Sequence, residues 1–528
     1  RDTMFMRWLG NTLTVFCILG VVCVLAITGT FAVYYYSNMR SDMMSRANQT
    51  SQFFSGYISQ NYEDYYQSCV SYTQSFEMSG SMELQFINTD GLLVASSYVP
   101  WAGKYNAICC PGMHQFAEGR WLKDAGYLTD YAAYWCREKN DARRYSFPIA
   151  YSFLEFYKAH PDMEFIRKSY PGLKEIYAGW EESHWDEEAG LFWQMDDRDG
   201  MEISISGALS GDMTGYRATI NSYMYADAAA LAQMAQMLGE SEDAEFYKAK
   251  AEMLKKAVNE KLWDESARFY KVIPRHGDMS FSPAREQHGY VPWMFGIPDE
   301  SRNDAWLQLS DPQGFKAPYG PTSAEQRAEG FKVVYEGHPC QWNGPSWPFA
   351  TAQTLTGLAK TLHRDGESAN ITKDVYFETL QTYSNSHRRV NEDGKTVCWI
   401  DENLNPFTGD WISRTMLLAI DYKYKERGKD YNHSSFCDLV ISGLVGVQPQ
   451  ADGSIVIEPL IPEGEWDWFS LSRIPCAGKE ISVIYDRTGE HYGCKPGLTV
   501  YVDGKKAAHS ETYSTSITLA SVEQEQYR

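Results

Sequence analysis

The chain has 528 residues, 44% hydrophobic and 22% charged, a globular composition that argues against wholesale disorder. Its length exceeds one ordinary core and predicts two or three domains. The formal net charge of -21 argues against nucleic acid as a partner, because phosphate binding requires a basic surface. Eleven cysteines without metal-ligand spacing predict mostly free thiols and no metal site.

The N-terminal segment is predicted to be a membrane anchor. Residues 11–36 carry no charge and are long enough to cross a bilayer, which needs about 20 apolar residues. Trp8 and tyrosines 34–36 flank the segment, where interfacial aromatics belong. A cleaved signal peptide has a shorter apolar region, and a buried soluble helix is the remaining alternative. The protein would thus be membrane-anchored if this segment is native, and otherwise soluble in an unassigned compartment.

Residues 82–96 alternate in polarity like two strands joined at Asp90-Gly91. Together with the anchor, residues 1–98 resemble the membrane and input region of a bacterial sensor histidine kinase, although no kinase core follows. Residues 1–100 contain no Lys and a single Trp, whereas the rest of the chain contains 15 Trp. We therefore predict a foreign piece over 1–100, joined to a protein that lacks its own beginning. A natural membrane-tethered protein is the alternative.

Residues 101–432 read as mostly helical. Apolar residues recur at helical spacing in several segments, and Asn221 is predicted to cap the helix that ends before Gly239. The predicted helices are 122–135, 147–159, 165–182, 221–238, 244–262, 348–362, 371–384 and 412–426.

A short pattern repeats within this helical body. Residues 185–192 return as residues 263–270, each copy a Trp-Asp-Glu turn that follows a helix and leads into an aromatic strand. A repeated helix–turn–strand unit predicts helical hairpins arranged in a ring, with the connecting loops at one end. Residues 433–528 switch to short alternating strands with Asp-Gly turns, which predicts a C-terminal β-sandwich. The predicted fold is thus mainly α: an (α/α)6 toroid followed by a small β-sandwich, with an N-terminal transmembrane helix and a small α+β segment.

Two sequence motifs contain candidate sugar-binding and catalytic residues. Trp342-Asn343-Gly344-Pro345-Ser346-Trp347 would place Trp342 and Trp347 on a rigid turn as a stacking floor for a sugar ring. About sixty residues later, residues 401–409 place Glu402 before an Asn-Pro-x-Thr-Gly turn, where it could activate a water. A stacking surface beside a carboxylate suggests cleavage of glycosidic bonds.

Inverting cleavage needs a second carboxyl group, as proton donor, on the opposite side of the sugar. Residues 196–202 supply four carboxylates, which could raise one another's pKa and keep one group protonated. A solvated acidic loop is the alternative for this cluster. A calcium loop is disfavoured, because the alternating ligands and the distal Glu are missing.

These residues resemble glycoside hydrolase family 63 and its mannosylglycerate-hydrolase-like relatives, which are six-hairpin (α/α)6 glycosidases. That family carries Ser-Gly-Met-Asp-Asn-Ser around its general acid, and the matching stretch here is 199–204. The resemblance implies that Glu202 is the acid, Glu402 the base, and Trp342 and Trp347 the sugar-binding floor. It also implies inverting hydrolysis of an α-linked sugar without a metal or an organic cofactor.

The chain departs from the family pattern in three respects. Glu202 replaces an Asp, which leaves Asp199 as the alternative acid. Asn343 stands where the family usually has Arg, so the sugar specificity is open. The helical body, about 330 residues long, is short enough that the ring's first hairpin could be absent.

Other groups are candidates for lining the same cleft, with a structural role as the alternative for each. They are Gln341, Trp193, Tyr216, Arg217, Asn221, Trp399, His288 and Tyr319. A membrane-anchored, non-catalytic carbohydrate sensor is the second functional hypothesis. A lyase or epimerase on the same ring is the third, and it is disfavoured because these motifs supply no His or Tyr base.

Overall fold

The computed structural model describes residues 2–55, 68–69, 72–73, 84–87, 93–96, 108–276, 279–333, 340–391, 393–413, 415, 429–431, 433–514 and 516–520. The chain forms two compact units, residues 1–106 and residues 107–528. The ten cysteines whose side chains the structure describes form no disulfide with one another.

The first unit contains helix α1 (Asp2–Ser55) and strands β1 (Gln85–Ile87) and β2 (Leu93–Ser96). The strands pair antiparallel, with Phe86 opposite Ala95, which confirms the predicted strand pair. The Asp90-Gly91 turn lies outside the described residues. Within the described residues, no helix is both long and apolar enough to cross a membrane. The predicted anchor over residues 11–36 finds no support in this result, and it stays a prediction together with the membrane partner and membrane localisation that depend on it.

The second unit is built on a ring of helices. The inner elements are α2 (Gly112–Gly119), α4 (Ile149–Ala159), α6 (Ala218–Leu238), α8 (Val291–Met294), α10 (Pro348–Asp365) and α12 (Phe436–Asp438), which continues as a π-helical turn over Leu439–Leu444. The outer elements are α3 (Gly126–Arg137), α5 (Met163–His184), α7 (Ser241–Lys261), α9 (Leu307–Ser310) and α11 (Lys373–Ser386).

Neighbouring inner elements pack on one another around the ring. α2 packs on α4, α4 on α6, α6 on α8, α8 on α10, and α10 on the π-helical turn, while α12 returns to α2. Because inner and outer helices alternate along the chain, the inner helices share one direction and their N-termini lie at one end. Among the described residues these contacts form a circuit from α2 through α12 and back to α2. The expectation that the ring's first hairpin could be absent stays a prediction. The predicted helix over 412–426 falls mostly outside the described residues.

The helix start predicted at Asn221 is wrong. Helix α6 begins at Ala218, after the extended residue Arg217. Asn221 instead turns inward: its Oδ1 accepts from the Phe192 backbone N–H at 2.8 Å, and its Nδ2 donates to the carbonyls of Phe192 and Arg217. The helix ends at Gly239, whose φ of +80° suits glycine, as predicted.

Short strands connect the helices at the ring ends. They are β3 (Trp185–Asp186), β4 (Leu191–Met195), β5 (Thr214–Tyr216), β6 (Trp263–Asp264), β7 (Phe269–Tyr270), β8 (Ile273–Pro274), β9 (Arg388–Val390) and β10 (Thr396–Cys398). The repeat predicted from sequence is confirmed, because β3–β4 and β6–β7 form the same two-residue antiparallel pairing.

The C-terminal strands form two antiparallel sheets. One sheet has the order β11-β12-β17 and the other β13-β14-β15-β16. The strands are β11 (Val447–Pro449), β12 (Ile455–Ile457), β13 (Trp468–Cys476), β14 (Lys479–Asp486), β15 (Gly497–Val502), β16 (Lys505–Ser510) and β17 (Ile517–Leu519). Their buried residues belong to the same apolar cluster as the ring helices, so the β region packs directly on the ring.

Candidate active site

The loop after β4 carries the first carboxylate cluster to the N-terminal end of the inner helices. Gly200 has a φ of +77°, and a Cβ there would meet Cys110 Sγ at 2.8 Å, so the turn requires glycine. Ile203 then forms a parallel β-bridge with Gln341, and Trp342 N–H donates to the Ile203 carbonyl at 2.7 Å. The acid loop is thereby attached to the Trp motif.

Asp199 points into a fully buried ion pair. Arg217 Nε donates to Asp199 Oδ2 at 2.9 Å, and neither side chain is exposed. The Thr219 hydroxyl donates to the same oxygen. Burial raises the pKa of Asp199, while the Arg217 charge opposes that rise. These contacts hold the start of α6 against the acid loop.

Glu202 lies at the edge of the site and is only partly exposed. Trp342 Nε1 donates to Glu202 Oε2 at 3.1 Å. Burial raises the pKa of Glu202 to about 8, and the negative charges of Asp197 and Glu402 add to the rise. Glu202 is therefore protonated at neutral pH, as a general acid must be.

Glu402 is buried and follows a locally ordered turn. The Cys340 thiol donates to Glu402 Oε2 at 3.4 Å, and Asp401 Oδ1 accepts from the Glu402 backbone N–H at 2.8 Å. The next residues form a loop closed by Asn405, whose Oδ1 accepts from Phe407 N–H at 2.9 Å. An antiparallel bridge between Leu404 and Ser346 attaches this loop to the Trp motif.

Residues 340–342 bring the two glutamates together. Cys340 bonds Glu402 and Trp342 bonds Glu202, from positions two residues apart on an extended segment. Side chains two apart on a strand share one face, with a rise of about 3.3 Å per residue. The carboxyl groups are thus held on the same side of this segment, and the charge of Glu402 acts on Glu202.

The two tryptophans of the motif stack on each other. Their ring centroids are 4.2 Å apart and the interplanar angle is 11°, while each residue is about 5% exposed or less. Trp347 Nε1 donates to the Gln341 carbonyl at 2.8 Å. The expected floor of two open rings is therefore a stacked pair in which each indole covers one face of the other. Asn343 beside them is buried, and its Oδ1 has no hydrogen-bond partner in the part of the chain that the structure describes.

Three of the predicted cleft residues have contacts with parts of the chain other than the glutamates. Trp193 lies between His184, with ring centroids 4.6 Å apart, and Arg275, whose guanidinium is 4.0 Å from the Trp193 ring centroid. The Tyr216 hydroxyl donates to Asp186 Oδ2 at 2.8 Å. Asn221 bonds backbone groups, as described above. Their contacts are those of structural residues.

The remaining predicted cleft residues, His288, Trp399 and Tyr319, have different surroundings. His288 is buried near Arg217. Burial and the Arg217 charge hold the pKa of His288 well below its usual value. Trp399 packs with Leu404 and Trp411 in one apolar cluster. Tyr319 is 41% exposed and contacts the same loop through a backbone hydrogen bond to Pro406 at 3.0 Å.

The sequence reasoning missed Tyr431, Cys110 and Cys340. Desolvation, together with the nearby Glu402 and Glu202 carboxylates, raises the pKa of the half-buried Tyr431 well above the usual value. The charge of Glu202 also raises the pKa of the Cys110 thiol, again after burial. Neighbouring motif residues could have suggested Cys340, but no local pattern marks Tyr431. Among the described residues, no cluster of three His, Cys, Asp or Glu could hold a metal ion.

The closed ring and the converging glutamates define a glycosidase of the six-hairpin class. Residues 104–434 match the family of mannosylglycerate hydrolase MGH1-like glycoside hydrolase domains, and the chain belongs to that family. This match confirms the resemblance inferred from the acid and base motifs. The resemblance of residues 1–98 to a sensor histidine kinase stays a prediction.

Solved structures with similar folds include a protein described as a sialidase. It is 35% identical with a TM-score of 0.72, over 79% of this chain and 37% of that chain. This chain therefore spans well under half of that protein's length, and that protein's activity is not carried over. A GH63 mannosylglycerate hydrolase from Thermus thermophilus, in complex with glucose, is 16% identical with a TM-score of 0.42, over 56% of this chain and 75% of that chain. A GH78 family rhamnosidase of a Bacillus species is 14% identical with a TM-score of 0.49, over 75% of this chain and 37% of that chain.

Proposed function

We propose that this protein hydrolyses an α-linked glycoside with inversion, using Glu202 as general acid and Glu402 as general base. The observation that carries the proposal is a pair of hydrogen bonds from one short segment. Cys340 donates to Glu402, and Trp342 donates to Glu202. An inverting pair has its two carboxyl groups roughly 6.5–9.5 Å apart, which leaves room for a water. The charge of Glu402, which raises the pKa of Glu202, supports such a proximity of the two groups.

The reaction assigns one proton transfer to each glutamate. Protonated Glu202 donates its proton to the glycosidic oxygen as the bond from that oxygen to the anomeric carbon breaks. Glu402 accepts a proton from a water, whose oxygen attacks the anomeric carbon from the opposite face. The products are the free alcohol and a sugar of inverted anomeric configuration, and the enzyme regains its starting state after one proton exchange with solvent.

Arg217, His288 and the stacked tryptophans have supporting roles in this proposal. Arg217 is buried beside the acid loop, and its Nη1 has no hydrogen-bond partner in the described part of the chain. His288 is neutral, because its pKa is held low, so it offers one donor and one acceptor without a charge. A sugar hydroxyl could satisfy such groups. Trp342 contributes through its N–H bond to Glu202 rather than through an open stacking face.

Replacing Glu402 by Gln tests the proposal. We expect hydrolysis of an α-glycoside to fall by about 10³-fold or more, because the water loses its base, while sugar binding measured by calorimetry persists. Glu245→Gln, on the exposed face of α7, is the matched control and should leave activity unchanged.

The anomer released by the wild-type protein, observed by proton NMR at early times, tests the stereochemistry. Full activity in Glu402→Gln, or release of the retained anomer, would overturn the assignment. Binding of sugar by the wild-type protein with no turnover of any α-glycoside would instead support the carbohydrate-sensor hypothesis.

A further inference from the structure

A cavity with several charged lining residues lies among the ring helices, and neither Glu202 nor Glu402 lines it. Its volume is about 390 Å³, and its walls come from α2, α4, α10, the segment 435–443 and strand β11. Ligand pockets for small molecules span roughly 300–1,000 Å³, so this space can hold a small guest. Its charged lining residues are four cations and two carboxylates: Arg120, Lys158, Lys360 and Arg364 with Glu155 and Asp438.

The two carboxylates are already shared among other cations. Arg120 donates to Asp438 Oδ1 from Nη2 at 2.7 Å and to Glu155 Oε2 from Nη1 at 2.9 Å. Lys158 donates to Glu155 Oε1 at 2.5 Å. Lys360 instead donates to the neutral Tyr151 hydroxyl, so its ammonium is the cation of this lining without a bonded carboxylate among the described residues.

Helix ends account for two of the other cations. Lys158 and Arg364 lie in the last turns of α4 and α10, where cations offset the partial negative charge of a helix C-terminus. Lys360 lies one turn further inside α10. Burial lowers the pKa of Lys360; the charges of Glu155 and Asp438 oppose that effect, and the Arg120 charge reinforces it. An anion placed in the cavity would further favour the charged form of Lys360.

Two buried polar atoms on the cavity wall also lack partners in the described part of the chain. His114 is 1% exposed; its Nδ1 bonds Ser435 Oγ at 3.3 Å, but its Nε2 is unpartnered. Gln448 Nε2 is likewise buried without a partner. An unpaired buried polar group costs free energy, and an amide nitrogen can only donate. The wall therefore offers donors that require an acceptor.

We propose that this cavity binds a small anion with carboxylate or phosphate oxygens, held by Lys360 and Gln448, with His114 as a further lining residue. The site is distinct from the acid–base pair, and it lies behind the tryptophan motif. The His114 ring is 4.5 Å from the Phe349 ring, which in turn is 6.1 Å from Trp342, centroid to centroid. Phe349 thus separates the anion site from the residue that bonds Glu202.

Titration calorimetry with inorganic phosphate and, separately, with acetate tests this proposal on the full chain. We expect saturable one-to-one binding of at least one of them to the wild-type protein. Gln448→Glu puts a negative charge into the wall and should weaken that binding at least tenfold. Gln236→Glu adds the same charge on the exposed surface of α6 and should leave it unchanged.

Binding of phosphate alone would assign a phosphorylated guest, and binding of acetate alone a carboxylic acid. No binding of either anion to the wild-type protein would overturn the proposal. Equal binding by the wild-type protein and Gln448→Glu would overturn it as well.

A second variant keeps the proposal testable if the first one folds poorly. Lys360→Met removes the cation but keeps much of the side-chain volume, and Lys256→Met is the control on α7, where Lys256 is 73% exposed. The measured quantity is the rise of the unfolding temperature caused by phosphate or acetate, relative to each variant's own value without anion. We expect the rise in the wild-type protein and in Lys256→Met, and none in Lys360→Met. An equal rise in Lys360→Met would refute the site.

Discussion

The side chain of Trp342 influences the pKa of Glu202 through a hydrogen bond. Its N–H donates to the Glu202 carboxylate and so favours the charged form, whereas burial and nearby charges favour the protonated form. Burial wins, and the pKa of Glu202 rises to about 8. The same rise makes the unfolding free energy decline as pH increases from the ordinary value of 4.5 towards 8, because the native state retains a proton that the unfolded chain releases.

The pH profile of hydrolysis should therefore lose its alkaline side near pH 8. Above that pH we expect kcat/KM to fall about tenfold per unit, because Glu202 loses the proton it must donate. Trp342→Phe removes the stabilising N–H and should move this limb upward by about 0.5–1 unit. Trp185→Phe, which removes an indole bonded to Glu187, should leave the limb in place. A limb that moves downward in Trp342→Phe would contradict the assignment of Glu202.

A substitution at Asp199 tests whether this carboxylate has a structural role or is the proton donor. Its ion pair with Arg217 is fully buried, so Asp199→Asn leaves an uncompensated charge. We expect a loss of about 3–5 kcal/mol in unfolding free energy, measured by urea denaturation. A variant of unchanged stability and no hydrolytic activity would show instead that Asp199 is the proton donor.

At the scale of elements, the two repeated hairpins use the same aspartate differently. Asp186 Oδ1 accepts from Ala189 N–H at 3.0 Å, and Asp264 Oδ1 accepts from Ala267 N–H at 3.1 Å. The second oxygen of Asp186 accepts from a tyrosine hydroxyl, whereas that of Asp264 accepts from the buried Lys271 at 3.2 Å. The sequence repeat thus encodes one turn with two different anchors.

Alanine at each aspartate should separate these anchors. Asp186→Ala is expected to cost about 0.5–2 kcal/mol, because it removes hydrogen bonds from neutral donors at a partly exposed turn. Asp264→Ala should cost about 3 kcal/mol or more, because it leaves the Lys271 ammonium buried without its partner. Thermal unfolding of the two variants measures the difference. Equal costs would mean that Lys271 reaches solvent when its partner is removed.

Local patterns predicted the elements better than they predicted the contacts between them. The helical spacing, the repeated turn and the Asp-Gly turns located most ring helices and tail strands, since these signals depend on nearby residues. The cap predicted at Asn221 failed because its side chain bonds the Phe192 backbone across the chain. The bond from Trp342 to Glu202 joins residues 140 positions apart, and no spacing rule encodes it. Tyr431 was missed for the same reason.

On the scale of the whole molecule, the proposed chemistry belongs to one unit. Glu202, Glu402 and the segment that holds them all lie within residues 107–528, the second compact unit. The ring and the β region belong to this one unit. The predicted domains 1–100, 101–432 and 433–528 stay predictions.

Residues 107–528 produced alone should retain the activity of the full chain. We expect kcat/KM within about twofold of the full-length value, since all residues of the proposed site belong to this unit. The comparison should be made at equal folded concentration, checked by circular dichroism. A loss above tenfold would show that the first unit contributes to the site.

The span from Cys340 to Trp342 has a consequence for how this enzyme can vary. Because consecutive side chains of an extended segment alternate between its two sides, a residue inserted or deleted within this tripeptide would turn one thiol or indole away from its glutamate. Substitutions there can retune acidity, but a change of length separates donor from acceptor in one step. Under the proposed assignment, the alternation within this three-residue stretch is what keeps both hydrogen bonds to the two glutamates.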